Sequence, residues 1–210
     1  MYSLGEIESQ CKKAAKGIGF SWGMAEEFGL IARHLSEVGL PGADSVYTNL
    51  KFIEACGVEC ALKDIELFEK IKRPLAGAFL AINFVDKLSE SLNYELKISN
   101  SIVGPLALVG MFLRLQKEQY YFLIEWTNCS ISLNEFGFKV SGKNQNPEVV
   151  NDLKLNVRKS EESPLIGPVC RSRLVIYNWN GLAEMANRTY VPSSEFSRLR
   201  GAGAGEAENE

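Results

Sequence analysis

Tyr94-Glu95-Leu96-Lys97-Ile98 is the stretch on which the fold turns. Tyr94, Leu96 and Ile98 alternate with charged Glu95 and Lys97, the period-two pattern of a strand with one face in the core and one in water. Upstream of it the apolar period is that of helices. From Ser3 to Gly17, Leu4, Ile7, Cys11, Ala14 and Ala15 recur at helical spacing, and Ser3 with Glu6 makes an S-x-x-E capping box. Ser21 can cap a second helix whose apolar face is Ala25, Phe28, Ala32, Leu35 and Val38, with Gly39 placed to end it. Pro41 and Gly42 turn the chain. Asp44 is placed to cap a third helix that carries Val46, Leu50 and Ile53 and stops near Gly57. A short helix is predicted over Asp64 to Ile71, and another from Pro74 to Leu88, with Pro74 at a first helical position where its missing N–H costs nothing.

Downstream of Ile98 the apolar runs Leu106 to Leu115 and Tyr120 to Trp126 flank Gln116-Lys117-Glu118-Gln119 and predict a hairpin with a four-residue loop. Further strands are expected at Cys129 to Leu133, Phe136 to Val140, Leu153 to Arg158 and Arg173 to Tyr177, and a short helix at Trp179 to Asn187. Segregated helices and strands predict an α+β fold: an N-terminal helical region over 1–90, then a mainly antiparallel β-sheet over 91–188 packed on it and including a short C-terminal helix. Residues 189–210 form a Gly/Ala-rich C-terminal segment.

Composition narrows the function classes. A chain of 210 residues with 46% apolar and 23% charged residues can bury a core without disulfide staples. A net charge of −3 carries no electrostatic footprint for DNA or RNA. The acidic N-terminus does not read as an export signal. The apolar run Ile102 to Leu113 contains Gly104, Pro105 and Gly110 and is short of the roughly 20 residues of a spanning helix. A cytoplasmic protein without membrane contact is the expectation. Cys11, Cys56, Cys60, Cys129 and Cys170 are odd in number and scattered, which suits free, buried and inert thiols. Cys56 and Cys60 have no second Cys/His pair nearby to complete a zinc site, so no metal is expected.

His34 is the single histidine, and a Ser-His-Asp or Cys-His arrangement would have to use it. It falls beside Arg33, off the apolar face of the second helix. No Walker A, G-x-S-x-G, H-E-x-x-H, C-x-x-C or strand-borne G-x-G-x-x-G sequence occurs, and no cofactor is expected. Carboxylates remain: Glu26 and Glu27 adjoin Trp22 and precede Arg33, and an aromatic wall can raise a carboxyl's proton affinity enough for acid-base work. The plainer reading is that Glu26 and Glu27 complement the helix dipole from a first turn. Near the C-terminus, Ser194, Glu195, Ser197, Arg198 and Arg200 precede Gly201-Ala202-Gly203-Ala204-Gly205, offering donors and close backbone approach for an anion, or simply a frayed tail.

Lys13 through Glu27 with Gly39-Leu40-Pro41-Gly42, and Thr189-Tyr190-Val191-Pro192 through Gly205, resemble the bacterial domain-of-unknown-function family 3726. The resemblance implies a stand-alone bacterial protein of this size and no particular activity. Leu35 through Tyr47 is similar, at a lower level, to the N-terminal helical segment of the malate/L-lactate dehydrogenase family that lacks a Rossmann fold. That family carries a D-S-H-G run with an active-site histidine; Asp44 and Ser45 match it, whereas Val46 and Tyr47 stand where the histidine and glycine would be. The similarity therefore implies helical architecture and not the dehydrogenase reaction.

Three functions fit these residues. One is a homo-oligomeric protein that binds a small anionic metabolite, or is accessory to a metabolic enzyme, through Trp22, Glu26, Glu27, Arg33, His34 and the tail donors. A second is an enzyme with Glu26, Glu27 or Glu195 as acid or base and Arg33 or Arg198 on the substrate. The third is a structural subunit that docks on a partner protein through its tail.

Overall fold

The computed structural model describes residues 2–66, 70, 72–88, 94–115, 120–159 and 175–190. Helix α1 (Leu4–Gly17) begins at the expected box: the Glu6 amide donates to Ser3 Oγ at 3.2 Å and the Ser3 amide donates to Glu6 Oε2 at 2.7 Å. Its buried face is Ile7, Cys11, Ala14 and Ala15. Helix α2 (Trp22–Glu37) starts under Ser21, whose Oγ accepts from the Met24 amide, and the chain turns away at Gly39 with φ +80°. Helix α3 (Gly42–Cys56) starts two residues before Asp44, so Asp44 does not cap it; it ends at Gly57, φ +84°. Helix α4 occupies Val58–Glu66 and includes Asp64 to Glu66 of the predicted Asp64 to Ile71, of which residues 67–69 and 71 lie outside the described residues.

Pro74 does not open a helix either. A two-residue strand, β1 (Leu75–Ala76), precedes α5 (Gly77–Leu88). Strands β2 (Tyr94–Ile98) and β3 (Ile102–Val103) follow, then helix α6 (Leu106–Arg114). The remaining elements are β4 (Tyr120–Trp126), β5 (Cys129–Asn134), β6 (Gly137–Gly142), β7 (Val149–Val150), β8 (Leu153–Lys159) and α7 (Trp179–Asn187). Of the predicted strand Arg173 to Tyr177, residues 173 and 174 lie outside the described residues, and 175–177 form no strand.

The largest correction is α6, which was expected to be one arm of a hairpin. Every residue from Leu106 to Leu113 is buried, because the helix lies between α2 and α5 on one side and the sheet on the other. Its Phe112 ring stacks on Phe122 of β4 at 4.6 Å. A helix buried all round has no polar face to mark its period, so an apolar run of this length reads equally as strand. Gly110 permits the close crossing with α2: a Cβ there would stand 2.8 Å from the Ile31 carbonyl oxygen.

Among the described residues, five strands form an antiparallel sheet in the order β2-β8-β4-β5-β6. Leu155, Ile124 and Ile131 are register partners along one row and are buried, whereas Lys154, Glu125 and Ser130 make the neighbouring row on the outer face. A second small sheet has the order β1-β3-β7, with β1 and β3 parallel. The fold is thus α+β, with N-terminal helices, an antiparallel sheet and a short C-terminal helix.

Candidate functional site

The charged residues singled out on α2 are held in separate ion pairs rather than gathered into one site. Lys12 of α1 pairs with Glu26, and both Lys12 and Lys16 stand over the half-exposed Trp22 ring, 5.6 and 5.4 Å from its centroid. Glu27 accepts from Arg114 of α6 at 2.8 Å. Arg33 donates from Nη1 to Glu8 at 2.8 Å and from Nε to Glu37 at 2.9 Å. His34 Nδ1 stands 3.2 Å from the second Glu37 oxygen. Burial pushes the Glu37 carboxyl up, but the hydrogen bonds and charges of Arg33 and His34 outweigh it and hold Glu37 below its ordinary range. The helix-dipole reading of Glu26 and Glu27 fails, because α2 begins at Trp22 and has no acidic residue in its first turn.

Of the C-terminal segment, Thr189 and Tyr190 are described: the Tyr190 hydroxyl accepts from Lys13 Nζ at 3.2 Å, so the chain leaves α7 alongside α1. Ser194, Glu195, Ser197, Arg198 and Arg200 lie outside the described residues. Among the thiols, Cys11 and Cys129 are buried as expected, and desolvation pushes both up. Cys56, at the end of α3, is exposed, which corrects the expectation of burial; Cys60 is half-buried near Arg73. Cys170 lies outside the described residues. Among the described residues, no group of three or more His, Cys, Asp and Glu side chains could hold a metal ion.

A different site is built on α3. Tyr47, Thr48, Lys51, Phe52 and Ala55 fall at i, i+1, i+4, i+5 and i+8 and so form one stripe. Across from it stand Val103 of β3, Glu148 and Val149 at β7, and Asn178 at the start of α7, enclosing a cleft of about 480 Å³. That volume suits a small molecule.

Two buried polar side chains set this geometry. Asn49, with no exposed surface, donates from Nδ2 to the Ser45 and Gly104 carbonyls at 2.9 and 3.1 Å, and its Oδ1 accepts from the Ala78 amide at 2.9 Å. It thereby ties α3 to the starts of α5 and α6. Gly104, at φ +59°, leaves no room for a Cβ beside Asn49, and its amide donates to the Glu148 carbonyl at 2.8 Å. Glu148 is in this way set against α3. Asp44 is the second. Its carboxylate accepts from the Tyr177 amide at 3.3 Å, and from both the amide and Nδ2 of Asn178 at 2.8 Å. The start of α7 is held by a carboxylate from α3, which also answers the positive end of the α7 dipole. The Tyr47 ring then packs against Gly181, where a Cβ would come within 2.4 Å of it.

The charges lining this cleft are uncommitted. Lys51 and Glu148 are exposed and form no ion pair among the described residues, with each other or with any other group; the Tyr47 hydroxyl has no hydrogen-bond partner there either. A larger and more open trough of about 1090 Å³ lies at the end of the five-stranded sheet, but its Glu125 and Lys154 are register partners on adjacent strands. Sequence reasoning missed the α3 cleft. Asp44, read from the sequence as a helix cap, serves there as a strap on α7. Glu148 and Asn178 arrive from distant segments that carry no local signal.

No curated protein and no solved structure matches the chain. A family model matches residues 2–77, which span α1 to β1 and hence the α3 wall of the cleft, but neither Glu148 and Asn178 nor the C-terminal stretch. The model is that of the family described as Protein of unknown function (DUF3726), to which this N-terminal segment is similar.

Proposed function

We propose that the chain binds a small anionic metabolite in the cleft between α3, β7 and the start of α7, with Lys51 as the anion contact. The observation that carries this reading is the contrast in commitment of charge. Glu26, Glu27, Arg33 and His34 each have a partner of their own, whereas Lys51 faces a cleft with no carboxylate paired to it among the described residues. A lysine in such a position offers three donors to a carboxylate or phosphate, with Tyr47 and Thr48 as neutral polar neighbours. Phe52, Val103 and Val149 supply apolar wall, the usual composition of a small-molecule site.

Thermal-shift and calorimetric titration against carboxylates and phosphates tests the reading. At least one anion is expected to bind, and Lys51→Ala is expected to weaken it by about ten-fold or more, the value of a charge-assisted hydrogen bond. Binding of that anion undiminished in Lys51→Ala would overturn the assignment. The reading as an enzyme working through Glu26 and Glu27 is less favoured, because Lys12 and Arg114 hold both carboxylates.

A further inference from the structure

Lys51 is not the only charge on the cleft. Glu148 lines the opposite wall, carried there by the Gly104 amide's hydrogen bond to its carbonyl, and it too has no cationic partner among the described residues. Among the described residues, Lys51 and Glu148 are its only charged lining residues. A simple anion seated here gains attraction from Lys51 and meets repulsion from Glu148, and a phosphate with more charge gains and loses more of both. A ligand with one negative and one positive group satisfies both walls at once.

We infer that the cleft selects a zwitterion, an amino acid with an apolar side chain: its carboxylate on Lys51, its ammonium on Glu148, and its side chain against Phe52, Val103 and Val149. This rests on the anion reading above and narrows it. The unpaired state of the two residues supports it, because opposite charges on facing walls that do not close on each other leave each with donor or acceptor capacity for a third group. The walls are held apart by groups other than the charges themselves. Asn49 fixes the Gly104 turn and Asp44 fixes Asn178, so the cleft is shaped before any ligand arrives.

L-leucine, 4-methylpentanoate and isopentylamine share an apolar body and differ in their charged groups, so calorimetric titration of the full chain with the three separates the ideas. L-leucine is expected to bind at least ten-fold more tightly than either of the others. Glu148→Gln is expected to bring L-leucine down to the level of 4-methylpentanoate, and Lys51→Ala to bring it down to that of isopentylamine. Both substitutions are at exposed positions, and unchanged thermal midpoints would confirm that the fold is intact. If 4-methylpentanoate binds as tightly as L-leucine, Glu148→Gln changes nothing and Lys51→Ala abolishes both, the zwitterion inference falls while the anion reading stands. If none of the three binds, the zwitterion inference falls, and the wider panel of carboxylates and phosphates decides the anion reading separately.

Discussion

The exposed face of α1 and α2 and the cleft on α3 are both rich in charge, yet they use it in opposite ways. On α1 and α2, Glu8, Arg33, Glu37 and His34 form a continuous chain of contacts, and Lys12 and Glu26 close on each other beside Trp22. Such surface pairs contribute little to stability, and the charges within them are already matched. At α3 the paired polar groups are buried, Asn49 and Asp44, and the exposed ones, Lys51 and Glu148, are unpaired. A polar frame inside with open charges outside is what a preformed site requires.

Asn49→Ala is expected to break this contrast most severely. It strips the partner from the Ala78 amide and one of two donors from the Gly104 carbonyl, which keeps the Ala107 amide, in a place without water access, at a cost of about 2–3 kcal/mol. Urea denaturation would show it; a loss below about 1 kcal/mol would mean that the frame is not what holds the β3–α6 turn. Asp44→Ala comes next. It frees the amides of Tyr177 and Asn178, and the expected cost is about 2 kcal/mol, localised to α7. Hydrogen exchange should accelerate at residues 177–182 before it does in α1 or α2. Uniform acceleration throughout the helices would show that the strap is not local.

How far this contrast was legible in the sequence follows from the same physics. Helices with a wet side announced themselves: the Ser3 and Glu6 box, Ser21 and the apolar stripes of α1 and α2 all lie where periodicity puts them. The strands of the large sheet were equally plain, because Leu153, Leu155 and Val157 alternate with Lys154, Asn156 and Arg158. Legibility failed where water is absent. Nothing in Leu106 to Leu113 is polar, so α6 had no period to show. The site failed for a related reason, since its shape depends on hydrogen bonds that cross the chain by 55 and 134 residues. Glu26 and Glu27 drew attention as neighbours of an aromatic; their partners Lys12 and Arg114 are fixed only by packing.

Capping gives a smaller effect, expected in the paired region alone. Ser3→Ala removes the acceptor for the Glu6 amide and should cost about 1 kcal/mol. Ligand binding at Lys51 should be untouched. A change in affinity would couple the two regions and dissolve the comparison.

The smallest effect is a pH dependence that should belong to one region. Arg33 and His34 hold Glu37 below its ordinary value of 4.5 in the folded chain, against the upward push of burial. A carboxyl depressed in this way contributes stability that is present in full above its unfolded value and is lost as the pH falls through the folded one. Glu37→Gln removes that contribution, so the gap in unfolding free energy between parent and variant should be open at pH 7 and should narrow progressively below about pH 4.5. Salt should narrow it also, because the group is largely at the surface. Glu148→Gln, which breaks no ion pair among the described residues, should leave the midpoint at pH 7 where it was. Urea titrations of the three proteins from pH 7 to pH 3 read both effects together. A Glu37→Gln gap that stays constant with pH would remove the ionic account of the α1 and α2 face. A loss of stability at pH 7 in Glu148→Gln would show that this carboxylate is already spent within the fold and is not held open for a ligand.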